Sequence, residues 1–288
     1  MDISFLIGQA VVNGLIIGLL YLLMAIGFTL VFGVMRIANF AHGEFYMLGA
    51  FIAFVCVVHL GLPYALSVVI ALVATLVLGW FLEVVILKPF RGDELNGLIA
   101  TLGIAMILQN LALMVFGPDP QSMPPPMEGI VDVGGIIMPL SRLYVVAFSA
   151  IVLAILYVFL MHSRTGRALR AVVQDMEIAQ AQGIRSHMVY PLGFALGVGL
   201  AAIAGALMAP IFSVSPFIGT APLFKSFIVV VLGGLGSIGG AVLASLLLGA
   251  AESLGSTFFD GSTADMMIFA LVILVLVIRP TGLLGRAE

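Results

Sequence analysis

The residues best placed to do chemistry form one short run, Asn39-Phe40-Ala41-His42-Gly43-Glu44, with apolar sequence on both sides. An amide, an imidazole and a carboxylate stand close together in it. Asn39 and His42 are suited to hydrogen-bond a small solute or to brace a break in a helix. Glu44 is suited to the N-terminus of the following helix, where a carboxylate meets the positive end of the dipole; this capping role is favoured over proton transfer. Gly43 permits local unwinding. Four histidines are scattered along the chain, and His42 has no second histidine nearby, so no metal site is expected. What the run does depends on its surroundings.

Those surroundings are a membrane. The chain has 288 residues, 62% of them hydrophobic and 9% charged, with 33 glycines besides. Its mean hydropathy is +1.28. An average soluble domain is about 25% charged, so this chain lacks the polar residues to cover a water-facing surface. The apolar runs do not alternate with polar residues, which argues against an outer-membrane barrel. The net charge of −3 implies no surface for nucleic acid. The start, Met1-Asp2-Ile3-Ser4, has no basic region of the kind that precedes a cleaved signal. The single cysteine, Cys56, lies in an apolar run and reads as a small buried hydrophobe.

A transmembrane helix uses about 20 apolar residues. The composition and the polar punctuation give an all-α polytopic protein of about eight or nine spans in one domain, residues 1–288, with broken or re-entrant segments. Apolar segments run over 11–35, 45–59, 64–87, 95–116, 143–161, 188–212, 224–235, 241–254 and 266–278. Basic residues set the orientation. Lys88 and Arg91 share one loop, Arg164, Arg167, Arg170 and Arg185 share another, and Arg279 and Arg286 lie in the tail. These loops belong on the cytoplasmic side. The proline-rich loop over 117–141 then lies outside, and counting back places the N-terminus outside too.

In such a chain the run at 39–44 has two readings. One is a broken helix near a translocation path, since unwound backbone at membrane depth is tolerated only where it lines a cavity or is buried in protein. The other is an ordinary interfacial loop. Gly233, Gly234, Gly236 and Ser237 open a second candidate, five glycines and a serine within residues 233–240. It reads either as a tight re-entrant turn or as close helix packing. Gly14 and Gly18, and Gly236 and Gly240, have the spacing of close helix contacts. Glu252 is an intramembrane carboxylate and so a functional candidate; Glu83 stands near a span end, where snorkelling is easy. Thr101 and Gln109 are eight apart, close to one helical face, and either line the path or bond neighbouring helices. The segment 163–187 is polar, alanine-rich and helix-prone, with Gly183 as its stop. It is either a surface helix or a docking helix for a cytoplasmic partner. Neither a GxxxxGK[ST] phosphate loop nor a hydrolase signature occurs.

The run from Gly33 to Ala50, GVMRIANFAHGEFYMLGA, resembles the signature of permease subunits of branched-chain amino acid ABC importers, most closely their H-type subunit. Val231 to Ala241 is similar to that family's C-terminal glycine motif. The stretch from Gly166 to Ile184 is similar to its cytoplasmic coupling loop, with Arg167, Arg170, Glu177, Ala179 and Gly183 in place and glutamines at 180 and 182 as a departure. The resemblance covers nearly the whole chain. It implies the ABC importer permease fold in a bacterial or archaeal cytoplasmic membrane. It also implies a second related permease, two ATP-binding subunits and an extracytoplasmic substrate-binding protein as partners. ATP and Mg would be used by those partners, with no cofactor on this chain. The rival reading is a stand-alone proton-coupled transporter using Glu44 or Glu252, or a passive facilitator.

Overall fold

A computed structural model describes residues 3–133, 136–234 and 236–285. Leu235 within the glycine cluster, Arg286 in the tail and the first two residues lie outside the described residues. Among the described residues, eight helices are long and apolar enough to cross a membrane, and a ninth, shorter apolar helix accompanies them. In chain order these are α1 (Ile3–Met35), α2 (His42–Phe54), α3 (Tyr64–Leu82), α4 (Glu94–Phe116), α5 (Leu140–His162), α8 (Ser186–Met208), the short α9 (Thr220–Gly233), α10 (Ile238–Phe258) and α11 (Gly261–Ile278). Two polar helices, α6 (Arg164–Gln174) and α7 (Met176–Ala181), stand between α5 and α8. The apolar segments of the sequence match these spans in order.

Three differences have local causes. The sequence reading gives 117–141 as a loop, but Ile130–Val133 (β1) and Ile136–Pro139 (β2) pair as an antiparallel hairpin. Two stretches rich in β-branched residues on either side of a Gly-Gly pair are sufficient cause. The single helix expected within 163–187 is two, because Asp175 adopts an extended backbone and its carboxylate accepts from Ile178 N at 2.9 Å, starting α7 afresh. Glu83 does not snorkel. It is fully buried in a π-helical turn over Glu83–Leu87 and accepts from Arg91 Nε at 2.7 Å. Arg91 in turn lies 4.5 Å from the ring centre of Tyr190, so its charge is matched on two sides.

The core is α1, α2 and α8, buried over most of their length; α3, α4, α5 and α11 keep one broad apolar face exposed. Without a hydrophobic drive between helices in lipid, close packing must hold them, and small residues allow it. Gly14 faces the Cα of Ala250 and Gly18 that of Leu246; a methyl on either would stand 2.8 and 3.2 Å from those atoms. These glycines therefore serve α1–α10 packing within one chain. Gly27 meets Gly197, and Gly193 meets Val34, so α8 also runs antiparallel to α1. A methyl on Gly205 would sit 1.9 Å from the carbonyl oxygen of Tyr46 in α2.

The basic loops gather at one end of the bundle. Arg91 reaches Tyr190 near the start of α8, Val173 of α6 packs on Gly33 near the end of α1, and Leu283 N in the tail donates to Leu232 O at 2.8 Å. The start of α1 lies at the other end, where Arg142 donates to Asn13 and Ile137 N donates to Gln9.

Overpacking of such a contact costs about 1–3 kcal/mol. We expect Gly205→Val to lower the midpoint of thermal unfolding in detergent clearly. Gly103→Ala, at a site with nothing within 4 Å, should leave it unchanged or slightly raised. Equal midpoints for the two variants would contradict this packing.

Candidate functional site

The run at 39–44 is built on a reversal. Arg36 takes a left-handed backbone, φ 52°, and its N–H closes on Phe32 O at 2.7 Å. A non-glycine residue there costs about 1–2 kcal/mol, so its surroundings impose it. From Arg36 to Ala41 the chain is not helical and runs back along α1. Ile37 is buried against Gly97 of α4. Thr101 donates to Leu98 O at 2.8 Å and accepts from Phe40 N at 3.2 Å. Asn39 Oδ1 accepts from Ala41 N at 3.1 Å. These bonds satisfy part of a backbone that has no helix to satisfy it. Thr101 is thus a brace for the broken segment, one of the two roles open to it from the sequence.

His42 begins α2 and is fully buried. Its Nε2 lies 3.1 Å from the carbonyl of Met24, about three helical turns before the end of α1. A carbonyl only accepts, so Nε2 carries the proton and Nδ1 is left as an acceptor. Phe28 meets the ring edge-on at 5.6 Å. Gly43 abuts Gly219, immediately before α9, so close that a methyl on Gly219 would stand 1.9 Å from Gly43 O. Two helix N-termini therefore meet at this place, each with its positive dipole end. Glu44 lies in the first turn of α2, as a dipole-compensating carboxylate should.

Five buried side-chain atoms among the described residues have no hydrogen-bond partner, and three of them are here: Asn39 Nδ2, His42 Nδ1 and Glu44 Oε2. A buried polar atom without a partner costs about 1–3 kcal/mol. Such a group is where water, a solute or a partner's side chain is received. Asn39 and Phe40 also line an apolar cavity of about 130 Å³ with Phe28, Leu223, Phe224 and Phe227. The run is non-helical from Arg36 to Ala41 and largely buried, with its polar side chains turned into the bundle.

Glu252 is placed elsewhere, and it is not free. Lys225 of α9 ion-pairs with its Oε1, and Tyr21 of α1 donates to its Oε2 at 2.7 Å. Lys225 also lies 3.4 Å from Asp265 of α11. Lys225 was not singled out from the sequence; its signal is a lone cation in the apolar run 224–235, matched by a lone anion, Glu252, in the next run. A second cavity, about 210 Å³, lies beyond this cluster toward the start of α1, between α1, α5, α10 and the end of α8. Residues 13, 17, 20, 21, 24 and 28 share one side of α1 by their spacing. The two cavities thus stand in series along that side, with the Tyr21–Glu252–Lys225 cluster between them.

The remaining candidates disperse. Gln109 is half-buried on α4, and its neighbour Asn110 is exposed and donates to Met106 O. Gly233, Gly234 and Gly236 form the α9–α10 turn, Ser237 caps α10 by accepting from Gly240 N at 3.0 Å, and Gly233 touches the backbone of Gly240. Gly234 and Gly236 have φ of 100° and 80°, values open to glycine. The tail bonds the start of this turn, where Leu283 N and Leu284 N donate to Leu232 O and Gly233 O, while Gly236 stays exposed. The segments on either side are unequal: α9 is short and α10 is of spanning length. In 163–187, Arg167 and Arg170 donate to His162 O and Leu160 O, the last carbonyls of α5. Ala179 is buried, Glu177 is exposed, and Gly183 has φ 85° with nothing beside it. Ile178, which sequence reasoning passed over, is 57% exposed on this polar helix pair.

A many-spanned helical bundle with an interrupted, polar-lined helix at its centre is the architecture of a membrane transport protein. The family described as "Branched-chain amino acid transport system / permease component" matches residues 10–277. The chain is 37% identical to the high-affinity branched-chain amino acid transport system permease protein BraD of Pseudomonas aeruginosa, over 97% of this chain and 96% of that one. It is 37% identical to LivH of Escherichia coli over the same shares, and 27% identical to LivM of that organism over 97% of this chain and 71% of LivM. No solved structure matches. The chain belongs to this permease family and is a multi-pass membrane protein.

Removing one member of a shielded ion pair strands the other, whereas removing both is far milder. Lys225→Met and Glu252→Gln should each lower thermal stability in detergent, by about 1–3 kcal/mol for side chains this shielded. The double variant Lys225→Met/Glu252→Gln should recover at least half of the loss. Simple addition of the two single effects would show that the pair is not coupled.

Proposed function

We propose that this chain is one of two related permease subunits of an importer for branched-chain amino acids, driven by separate ATP-binding subunits. The observation that carries the reading is similarity over nearly the whole chain to permease proteins whose names give that system. LivH and LivM, two permease proteins of one named system, are both similar to this chain, which supports pairing with a longer relative. The absence of a phosphate loop in the sequence supports energy supply by other subunits. A substrate-binding protein delivers the amino acid at the end where α1 starts. The basic end faces the cytoplasm of a bacterial or archaeal cell, in keeping with its arginines.

There α6 and α7 form the surface for the ATPases. α6 buries Gly166, Leu169 and Val172 on the bundle and turns its other face outward. Its arginines tie it to the end of α5, so a push on this pair reaches the spans through α5 and through Val173 on α1. ATP-driven closure then opens the path on the opposite side, and hydrolysis resets it. A stand-alone proton-coupled carrier is disfavoured by the similarity over nearly the whole chain to permease proteins of a named transport system, and for Glu252 also by its lysine and tyrosine partners.

In vesicles containing the whole importer, Ile178→Asp should cut leucine uptake and the amount of ATPase recovered with the chain by about tenfold, with unchanged unfolding temperature. Gly183→Pro, which loses both the left-handed backbone and the N–H bonded to Gln180 O at 2.9 Å, should uncouple ATP hydrolysis from uptake. Full uptake by both variants would remove this surface from the coupling role.

A further inference from the structure

The larger cavity lies at the end away from the basic loops, and its lining is chemically divided. Ile16, Leu20, Met208 and Phe212 give it an apolar wall, while Arg142 and Ser253 bring a cation and a hydroxyl. Arg142 stands half-buried in the first turn of α5. Its guanidinium donates one N–H to Asn13 Oδ1 at 2.7 Å. A guanidinium has five N–H donors in a planar fork, and the ion pairs among the described residues give Arg142 no carboxylate. A cationic fork that opens on a cavity with an apolar wall selects a small anion with a hydrocarbon tail.

The geometry points to this cavity as a binding site for the amino acid on its way in: the α-carboxylate on Arg142 and the aliphatic side chain against Ile16, Leu20 and Phe212. Its volume of about 210 Å³ exceeds the ~150 Å³ that holds a benzene ring in an apolar cavity, so a leucine-sized solute fits. Hydroxyls of Ser253, Ser256 and Thr257 supply acceptors for the ammonium group. One residue further along each helix, from Leu20 to Tyr21 and from Ser253 to Glu252, stands the paired cluster. The site thus lies on the binding-protein side of that cluster. This inference rests on the importer reading above.

The test uses the complete importer in nanodiscs and a diazirine analogue of leucine, photolysed and mapped by mass spectrometry. Labelling should fall on residues 208–212 or 253–257 and be displaced by leucine but not by isoamylamine, which lacks the carboxylate. Arg142→Gln should reduce it by about tenfold, and Arg142→Lys by less, since a charge without the fork remains. Ile16→Trp, which fills the cavity and leaves the Arg142–Asn13 bond, should reduce it equally. Labelling that maps elsewhere, or that survives both Arg142→Gln and Ile16→Trp, overturns the inference. Displacement by phosphatidylglycerol and not by leucine overturns it too, by making Arg142 a lipid-headgroup site. Failure of the unaltered importer to take up leucine would instead overturn the importer reading itself.

Discussion

Hydrocarbon offers no hydrogen bonds, and the stretch from Arg36 to Ala41 is non-helical inside the bundle. Several features around it follow from the need to satisfy or accommodate it. Thr101 is buried on α4 because Phe40 needs an acceptor; Asn39 folds onto its own backbone because Ala41 needs another. His42 must reach the carbonyl of Met24 across a gap kept narrow by Gly27. Gly43 and Gly219 must lack side chains because two helix starts share one place. The left-handed Arg36 is the conformational cost of turning the chain back along α1, and packing by Ile37 on Gly97 holds that turn shut.

The spans were legible because apolar runs with polar punctuation are a one-dimensional signal. The run at 39–44 was legible as polar residues in the wrong solvent. What it braces was not, since Thr101 and Met24 come from helices far away in sequence or depth. Glu252 shows the limit from the other side. As a lone carboxylate it suggested proton chemistry, and only the packing of α9 on α10 reveals Lys225 beside it. The same holds for Ala179 and Ile178. Adjacent in sequence, one is buried and the other exposed, and the helix phase that separates them starts afresh at Asp175. The hairpin over 130–139 was missed because each strand is too short to stand out by pattern.

The two cavities and the charged cluster between them give the bundle a layered interior. A cavity with a cation, the ion-paired cluster and a smaller apolar cavity succeed one another along one side of α1. The helices that carry the ion pair, α9 and α10, are also those joined at the glycine turn at the basic end. Motion of that end has a mechanical route to the cluster, because both partners of the ion pair are carried on the arms of one hairpin.

The tail adds an element of timing. Leu283 and Leu284 give their N–H groups to the carbonyls at the end of α9, and Gly282 packs on Gly234. These residues leave the ribosome after every helix they fasten. The hairpin that carries Lys225 and Glu252 is thus fastened at its turn by the segment made after it. Truncation before residue 282 would remove both bonds and leave the carbonyls at the end of α9 uncovered.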